Sequence, residues 1–197
     1  MDEKEIINII KLIQSSNIQL CISFSGAGFQ FLNNVLRLEG ASKCLINAEI
    51  PYSGQSLNEN FQIYEPYITK ENTKKLAKIS LDKFSKIGSN NILMSIGCMG
   101  SIKTYYEKQG DEKAWLYFIT SDQQEYCYFL KFYKDLARPI SRESQDKCIN
   151  KAILVTIRNF INDNYRFPMK TSDEYHTLKI DSQDAVEMHP NPPNFIE

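Results

Sequence analysis

Three short segments of this chain combine small residues with hydroxyls: Ser23-Phe24-Ser25-Gly26-Ala27-Gly28, Pro51-Tyr52-Ser53-Gly54, and Gly97-Cys98-Met99-Gly100-Ser101. Each follows an apolar run and reads as the point where a strand ends and a loop begins. In α/β proteins ligands bind at the carboxyl ends of strands, so three such segments on one edge outline a single pocket. The first precedes a helical pattern, and the opening N–H groups of a helix lack partners within it, while the helix dipole favours negative charge there. Gly26, Ala27 and Gly28 would let a phosphate or a developing oxyanion approach that main chain. The plainer reading of the same turn is a helix cap. It is neither a Walker loop nor a dinucleotide fingerprint. Tyr52 and Ser53 offer two hydroxyls, which a proline-punctuated turn explains equally well. Cys98 offers a thiol, but neither histidine has a place beside it, so a buried structural cysteine is expected over a nucleophile. No Asp, Glu, His or Lys lies within the three segments, which leaves no obvious base.

The elements that must position these segments follow from periodicity. Residues 2–15 place Ile6, Ile9, Ile10 and Ile13 on a helical face, and Asn17 to Ile22 is too short and apolar for anything but a buried strand. A second helix is expected over 27–39, closed by Gly40, then a strand over 43–50 stopped by Pro51. Residues 64–69, holding Pro66, read as a crossing loop. Residues 70–87 carry Leu76, Ile79, Phe84 and Ile87 at helical spacing behind Thr69 as N-cap, and 91–97 is the next strand. A polar loop through Gly110 leads to two neighbouring strands, 114–120 and 126–133, joined by Ser121-Asp122-Gln123-Gln124. Their aromatic residues, Trp115, Tyr117, Phe118, Tyr126, Tyr128 and Phe129, lack the basic neighbours of an RNA-stacking surface and read as core. Ser141 opens the last helix, with Ile149, Ile153, Ile157 and Phe160 as its stripe.

The chain has 197 residues, enough for one substantial core, and the alternation of helices and strands implies an α/β fold: a single layered domain with a mixed β-sheet flanked by helices. The domain is expected over 1–167. Residues 168–197 hold two lysines against six carboxylates, a net charge of −4 beside a body of about +3, and read as an acidic, proline-containing tail with one surface strand over 175–180. The whole chain carries a formal charge of −1, which gives no electrostatic reason to expect nucleic acid or an anionic membrane as partner. The five cysteines are scattered, with no CxxC pair, and the two histidines lie in the tail, so neither a disulfide framework nor a metal site is expected. Together with a charged amino terminus unlike a secretory leader, this points to a reducing, cytoplasmic setting. No cofactor is called for, and a homo-oligomer is compatible with the sequence.

In their order, the segments resemble the C-terminal domain of the CinA family, the nicotinamide mononucleotide deamidase domain, of which this chain would be a divergent member. Cys21-Ile22-Ser23-Phe24-Ser25-Gly26-Ala27 is similar to the family's Glu-Ser-Cys-Thr-Gly-Gly, and Leu38-Glu39-Gly40-Ala41-Ser42 to its Val-Pro-Gly-Ala-Ser. Pro51-Tyr52-Ser53-Gly54 is similar to its Ala-Tyr-Ser-Asn, and Ser95-Ile96-Gly97-Cys98-Met99-Gly100 to its Thr-Gly-Ile-Ala-Gly-Pro. The similarity runs over roughly residues 5–163. It implies an α/β layered fold and, in active members, hydrolysis of the ligand's carboxamide to the acid and ammonia. It also implies Ser23 as the attacking hydroxyl, Tyr52 as a second catalytic residue, and Ser25 to Gly28, Ser53, Gly97, Cys98, Gly100, Ser101 and Lys103 around the ligand.

The pattern departs from the family at three places. Ile22 stands where the family has its first glutamate, Ala27 replaces its second glycine, and no lysine lies between Lys43 and Lys70, where the family's activating lysine would fall. Lys103 is a candidate replacement. Loss of a general base typically costs about a hundred- to ten-thousand-fold in rate. The expectation is therefore a domain that binds a small phosphorylated or nucleotide-like ligand with its deamidase activity lost. The alternatives are an active amidohydrolase using Ser23 and a non-catalytic interaction protein.

Overall fold

The computed structural model describes residues 1–87, 91–106, 108–132, 140–167 and 176–180. Helix α1 (Glu3–Ser15) leads to strand β1 (Ile18–Ser25), helix α2 (Phe29–Leu36), a 3-10 turn (Ala41–Lys43) and strand β2 (Leu45–Glu49). Helices α3 (Gly54–Phe61) and α4 (Lys70–Phe84) precede strands β3 (Ile92–Ser101), β4 (Glu112–Thr120) and β5 (Glu125–Phe132). Helix α5 (Arg142–Asn162) and strand β6 (His176–Ile180) complete the described elements.

The strands form one mixed sheet in the order β2-β1-β3-β4-β5-β6. β1 pairs parallel with both β2 and β3, β4 runs antiparallel between β3 and β5, and β6 adds to β5 in parallel. The six strands and five α-helices make the expected α/β layered domain. Side chains alternate across the sheet, and β1 shows what each face meets. Leu20, Ile22 and Phe24 pack with Ile10 and Ile13 of α1, Phe31 and Val35 of α2, and Ile149, Ile153 and Ile157 of α5. Cys21 points the other way, with Leu93 and Tyr117, under Ala77 and Leu81 of α4. Leu57 and Phe61 of α3 join Leu76 and Met99 in a smaller cluster on that second side. Among the described residues no helix is long and apolar enough to cross a membrane.

Local signals explain most boundaries. Asp2, Thr69 and Ser141 each accept a backbone N–H in the first turn of α1, α4 and α5. Four expectations are corrected. α2 is shorter than 27–39, and Lys43 belongs to the 3-10 turn. The segment after Pro51 is a helix, α3, which its polar composition hid. β1 continues to Ser25 and β3 to Ser101, so Ser23 and Gly97 to Gly100 lie within strands and not in loops beyond them. The strand expected over 175–180 is present as β6, on β5, while 168–175 and 181–197 lie outside the described residues.

Gly97 shows why the third segment carries glycine without being a turn. A β-carbon there would come 2.7 Å from the Thr73 carbonyl oxygen and 3.1 Å from Ala77 Cβ, so α4 rests directly on the strand backbone. Gly97→Ala should force those elements apart and cost about 1–3 kcal/mol, the usual range for overpacking a tight interior. Urea unfolding is expected to show a lower midpoint at an unchanged slope.

Candidate functional site

β1, β2 and β3 run in one direction, and their carboxyl edge opens on a cleft of about 850 Å³. Ser25 and Gly26 at the end of β1 and Gly100, Ser101 and Ile102 at the end of β3 form its floor. Tyr52 and Gly54 bring in the start of α3, Glu65 to Ile68 form one wall, and Thr104, Asp111, Lys113 and Arg142 form the other. The floor is drawn together by glycine. Gly26 sits at φ +78°, and a β-carbon on it would lie 2.1 Å from the Gly100 carbonyl oxygen. A Cβ on Gly100 would in turn come 2.5 Å from Ala27 Cβ. Both positions require the bare backbone.

Of the residues singled out from sequence, Ser25, Gly26, Tyr52, Gly100 and Ser101 line this one cleft. Tyr52 is 65% exposed, its ring 6.3 Å from that of Phe29. The others lie elsewhere. Ser53 is the N-cap of α3, its hydroxyl accepting the Ser56 N–H at 3.1 Å. Lys103 is held by its main chain, its N–H donating to Gln145 Oε1 at 2.7 Å and its carbonyl accepting from Arg142 at 2.9 Å. Ala27, Gly97 and Cys98 are packed inside. Burial pushes the Cys98 thiol well above its ordinary range, with the nearby Asp146 carboxylate adding to the effect, so a thiolate is strongly disfavoured there. Ser23 is 0% exposed, and its hydroxyl has no hydrogen-bond partner among the described residues. Its register neighbour on β2 is Glu49, which pairs with Lys83 of α4. An attacking serine needs both a base in contact and a path to substrate.

The turn ahead of α2 also departs from expectation. Its N–H groups are not free to hold an incoming anion, because Asp146 of α5 already occupies the position. Gly28 N–H donates to Asp146 Oδ1 at 2.5 Å and Gln30 N–H to Oδ2 at 2.7 Å. A carboxylate spanning two orphan donors at a helix start satisfies hydrogen bonding and dipole together. Around it, α5 makes further polar contacts. Arg142 donates to the Gly26 carbonyl at 2.9 Å, and Gln145, fully buried, donates to the Glu112 carboxylate at 2.5 Å. Arg142 was not singled out from sequence, and Gln145 and Asp146 read there only, with Ser141, as the opening of the last helix.

The remaining helix start in the cleft is that of α3. Its cap satisfies Ser56 N–H, and Gly54 lines the cleft. The Lys113 side chain has no ion pair or hydrogen bond among the described residues, whereas Asp111 pairs with Lys131 at 3.3 Å. The cleft is thus lined by a lysine, an arginine and a helix start around the largely buried ends of β1 and β3.

No protein-family model matches the chain, and no curated protein does. Solved structures do. A CinA superfamily protein from Klebsiella pneumoniae aligns over 79% of this chain and 97% of its own, at 10% identity and a TM-score of 0.58. A competence/damage inducible protein, CihA, from Agrobacterium tumefaciens aligns over 82% of this chain and 94% of its own, at 11% identity and the same TM-score of 0.58. A CinA superfamily protein from Escherichia coli gives 10% identity, 82% and 92% coverage, and 0.55. The chain has the CinA-like fold, at a sequence distance that fits a divergent version of it.

The Asp146 contact makes a direct prediction. Asp146→Ala removes the acceptor of two charge-assisted bonds and should destabilise the fold by about 1–3 kcal/mol. Asp146→Asn, which can accept at only one of the two positions, should fall between the variant and the parent. Chemical denaturation of the three proteins measures both differences.

Proposed function

We propose that this chain binds a small phosphorylated, nucleotide-like ligand in the carboxyl-edge cleft and does not hydrolyse it. The observation that carries this reading is the separation of cleft from nucleophile. The backbone floor, Tyr52, Lys113 and Arg142 face an open space of suitable size for a mononucleotide, while Ser23 is buried with no base hydrogen-bonded to it among the described residues. The resemblance to the nicotinamide mononucleotide deamidase domain supplies the ligand class.

In this reading the phosphate sits against Lys113 and the first turn of α3, where a cation and helix N–H groups act together. Arg142 closes the site from the α5 side while keeping its bonds to the Gly26 and Lys103 carbonyls. Tyr52, mostly exposed at the rim, offers a face on which a planar ring stacks. Ser25 and Ser101 contribute hydroxyls to the sugar or the phosphate. Lys108 already holds Ser101, donating to its hydroxyl at 2.7 Å and to its carbonyl at 2.5 Å, which fixes that end of β3 before a ligand arrives. Hydrolysis would need the Ser23 hydroxyl to reach a carboxamide carbon and lose its proton. The buried position and the absent lysine both oppose that step.

Calorimetric titration with nicotinamide mononucleotide, paired with an ammonia-release assay, tests the reading. Binding is expected, with ammonia at background. Lys113→Glu should weaken binding by roughly tenfold or more, since a hydrogen bond to a charged group contributes about 1.5–3 kcal/mol. Ammonia release abolished by Ser23→Ala would replace this reading with the active amidohydrolase.

A further inference from the structure

Among the described residues, five buried side-chain atoms lack a hydrogen-bond partner: Gln19 Oε1, Ser23 Oγ, Asn47 Nδ2, Glu49 Oε2 and Ser80 Oγ. They are not scattered over the molecule. Gln19 and Ser23 belong to β1, Asn47 and Glu49 to β2, and Ser80 to α4. Cys21 packs under α4, so the alternation of the strand turns Gln19 and Ser23 to that same face. Glu49 stands opposite Ser23 in the parallel register, and Asn47 stands opposite Cys21. A shift in the pairing between Leu20 and Cys21 sets this alignment, bringing Asn47 and not Ile46 beside Cys21. Ser80 lies one turn ahead of Lys83, whose ammonium crosses from α4 to Glu49 Oε1.

The kinds of atom decide what such a cluster would hold. Ser23 and Ser80 are 0% exposed, and a buried hydroxyl without a partner carries its full desolvation cost. Two hydroxyls, one carboxylate oxygen and an amide able to turn its own oxygen inward make a set of hard donors with a single negative charge. Divalent cations are held by oxygen sets richer in carboxylate, whereas a monovalent ion exchanges its hydration shell for neutral oxygens. Lys83 engages only Oε1, from a side chain that is 55% exposed, and leaves Oε2 unspent. Asn47 and Glu49 lie on the edge strand and are partly exposed, which gives an ion a path from solvent. Gln19, about 13 Å from Ser23 along the strand at the usual rise, is too distant to share the same ion.

We infer that Ser23, Asn47, Glu49 and Ser80 form a site for a monovalent cation of the sodium or potassium class, seated between β1, β2 and α4. Its occupant fastens the edge strand to the helix above it. None of the four residues lines the carboxyl-edge cleft, so the site does not depend on the function proposed for that cleft.

Thermal unfolding of the full chain in potassium, sodium and tetramethylammonium chloride at equal ionic strength tests this, since matched ionic strength equalises the screening of surface pairs. An ion that binds only the folded state raises the midpoint as its concentration rises. Potassium or sodium should raise it by a few degrees over tetramethylammonium, which is too large to enter. Ser23→Ala, which removes a buried hydroxyl without adding bulk, and Glu49→Gln should each weaken the apparent affinity by about tenfold or more. Lys83→Met breaks the ion pair but keeps every donor, and should retain the response. Crystals soaked in rubidium should show its anomalous scattering between the four side chains. Equal midpoints in the three salts, a response to magnesium alone, one that survives Ser23→Ala or is lost in Lys83→Met, or rubidium bound only elsewhere would each overturn the inference.

Discussion

The carboxylate of Asp146 at the start of α2 is the contact on which the arrangement around the cleft depends. It joins residues 118 and 116 positions apart in the chain, satisfying Gly28 and Gln30 N–H with one side chain. Through it the amino-terminal half of α5 is tied to the β1–α2 turn, and its neighbours extend the tie. Arg142 bonds the carbonyls of Gly26 and Lys103, and Gln145 bonds Lys103 N–H and the Glu112 side chain. One helix therefore positions the ends of β1 and β3 together with the first residue of β4. All of these but the Glu112 bond go to backbone groups, which makes them costly to lose.

The same contact decides the chemistry. A glycine turn ahead of a helix is a general anion site, and here the protein has supplied the anion itself. An oxyanion or phosphate could enter only by displacing Asp146 from two short bonds. The helix start that lines the cleft belongs to α3, and in the proposed reading a ligand's negative charge sits there and at Lys113 in place of the β1 turn. The buried Ser23 is consistent with that shift. A hydroxyl under α4, two strand positions from the cleft-lining Ser25, serves the interior of the sheet and not the cleft.

Strong periodicity was legible in the sequence. Five isoleucines over residues 6–13 mark α1, the spacing of Leu76, Ile79 and Phe84 marks α4, which ends before the exposed Ile87, and the aromatic pair of strands around Ser121-Asp122 is present in register, with Trp115 opposite Phe129. What escaped has identifiable causes. α3 has only Leu57 and Phe61 buried, too few to show a helical stripe. Gly97 and Gly100 read as a turn because glycine disfavours strands, whereas both are glycine so that α4 and Ala27 can touch the backbone. The clustering of Ser25, Gly26, Tyr52, Gly100 and Ser101 could be read from strand ends alone. The capture of Gly28 by Asp146 could not, because nothing local to either residue encodes a partner more than a hundred positions away.

In the proposed reading the cleft takes a phosphorylated ligand with the Asp146 contact intact and Ser23 out of reach. A crystal structure of the chain soaked with nicotinamide mononucleotide tests it most directly. The phosphate is expected beside Lys113 and the start of α3, with Asp146 still bonded to Gly28 and Gln30 N–H and the carboxamide carbon beyond bonding range of Ser23 Oγ. A phosphate or carboxamide oxygen on the Gly28 N–H with Asp146 displaced, or an acyl group on Ser23, would contradict it.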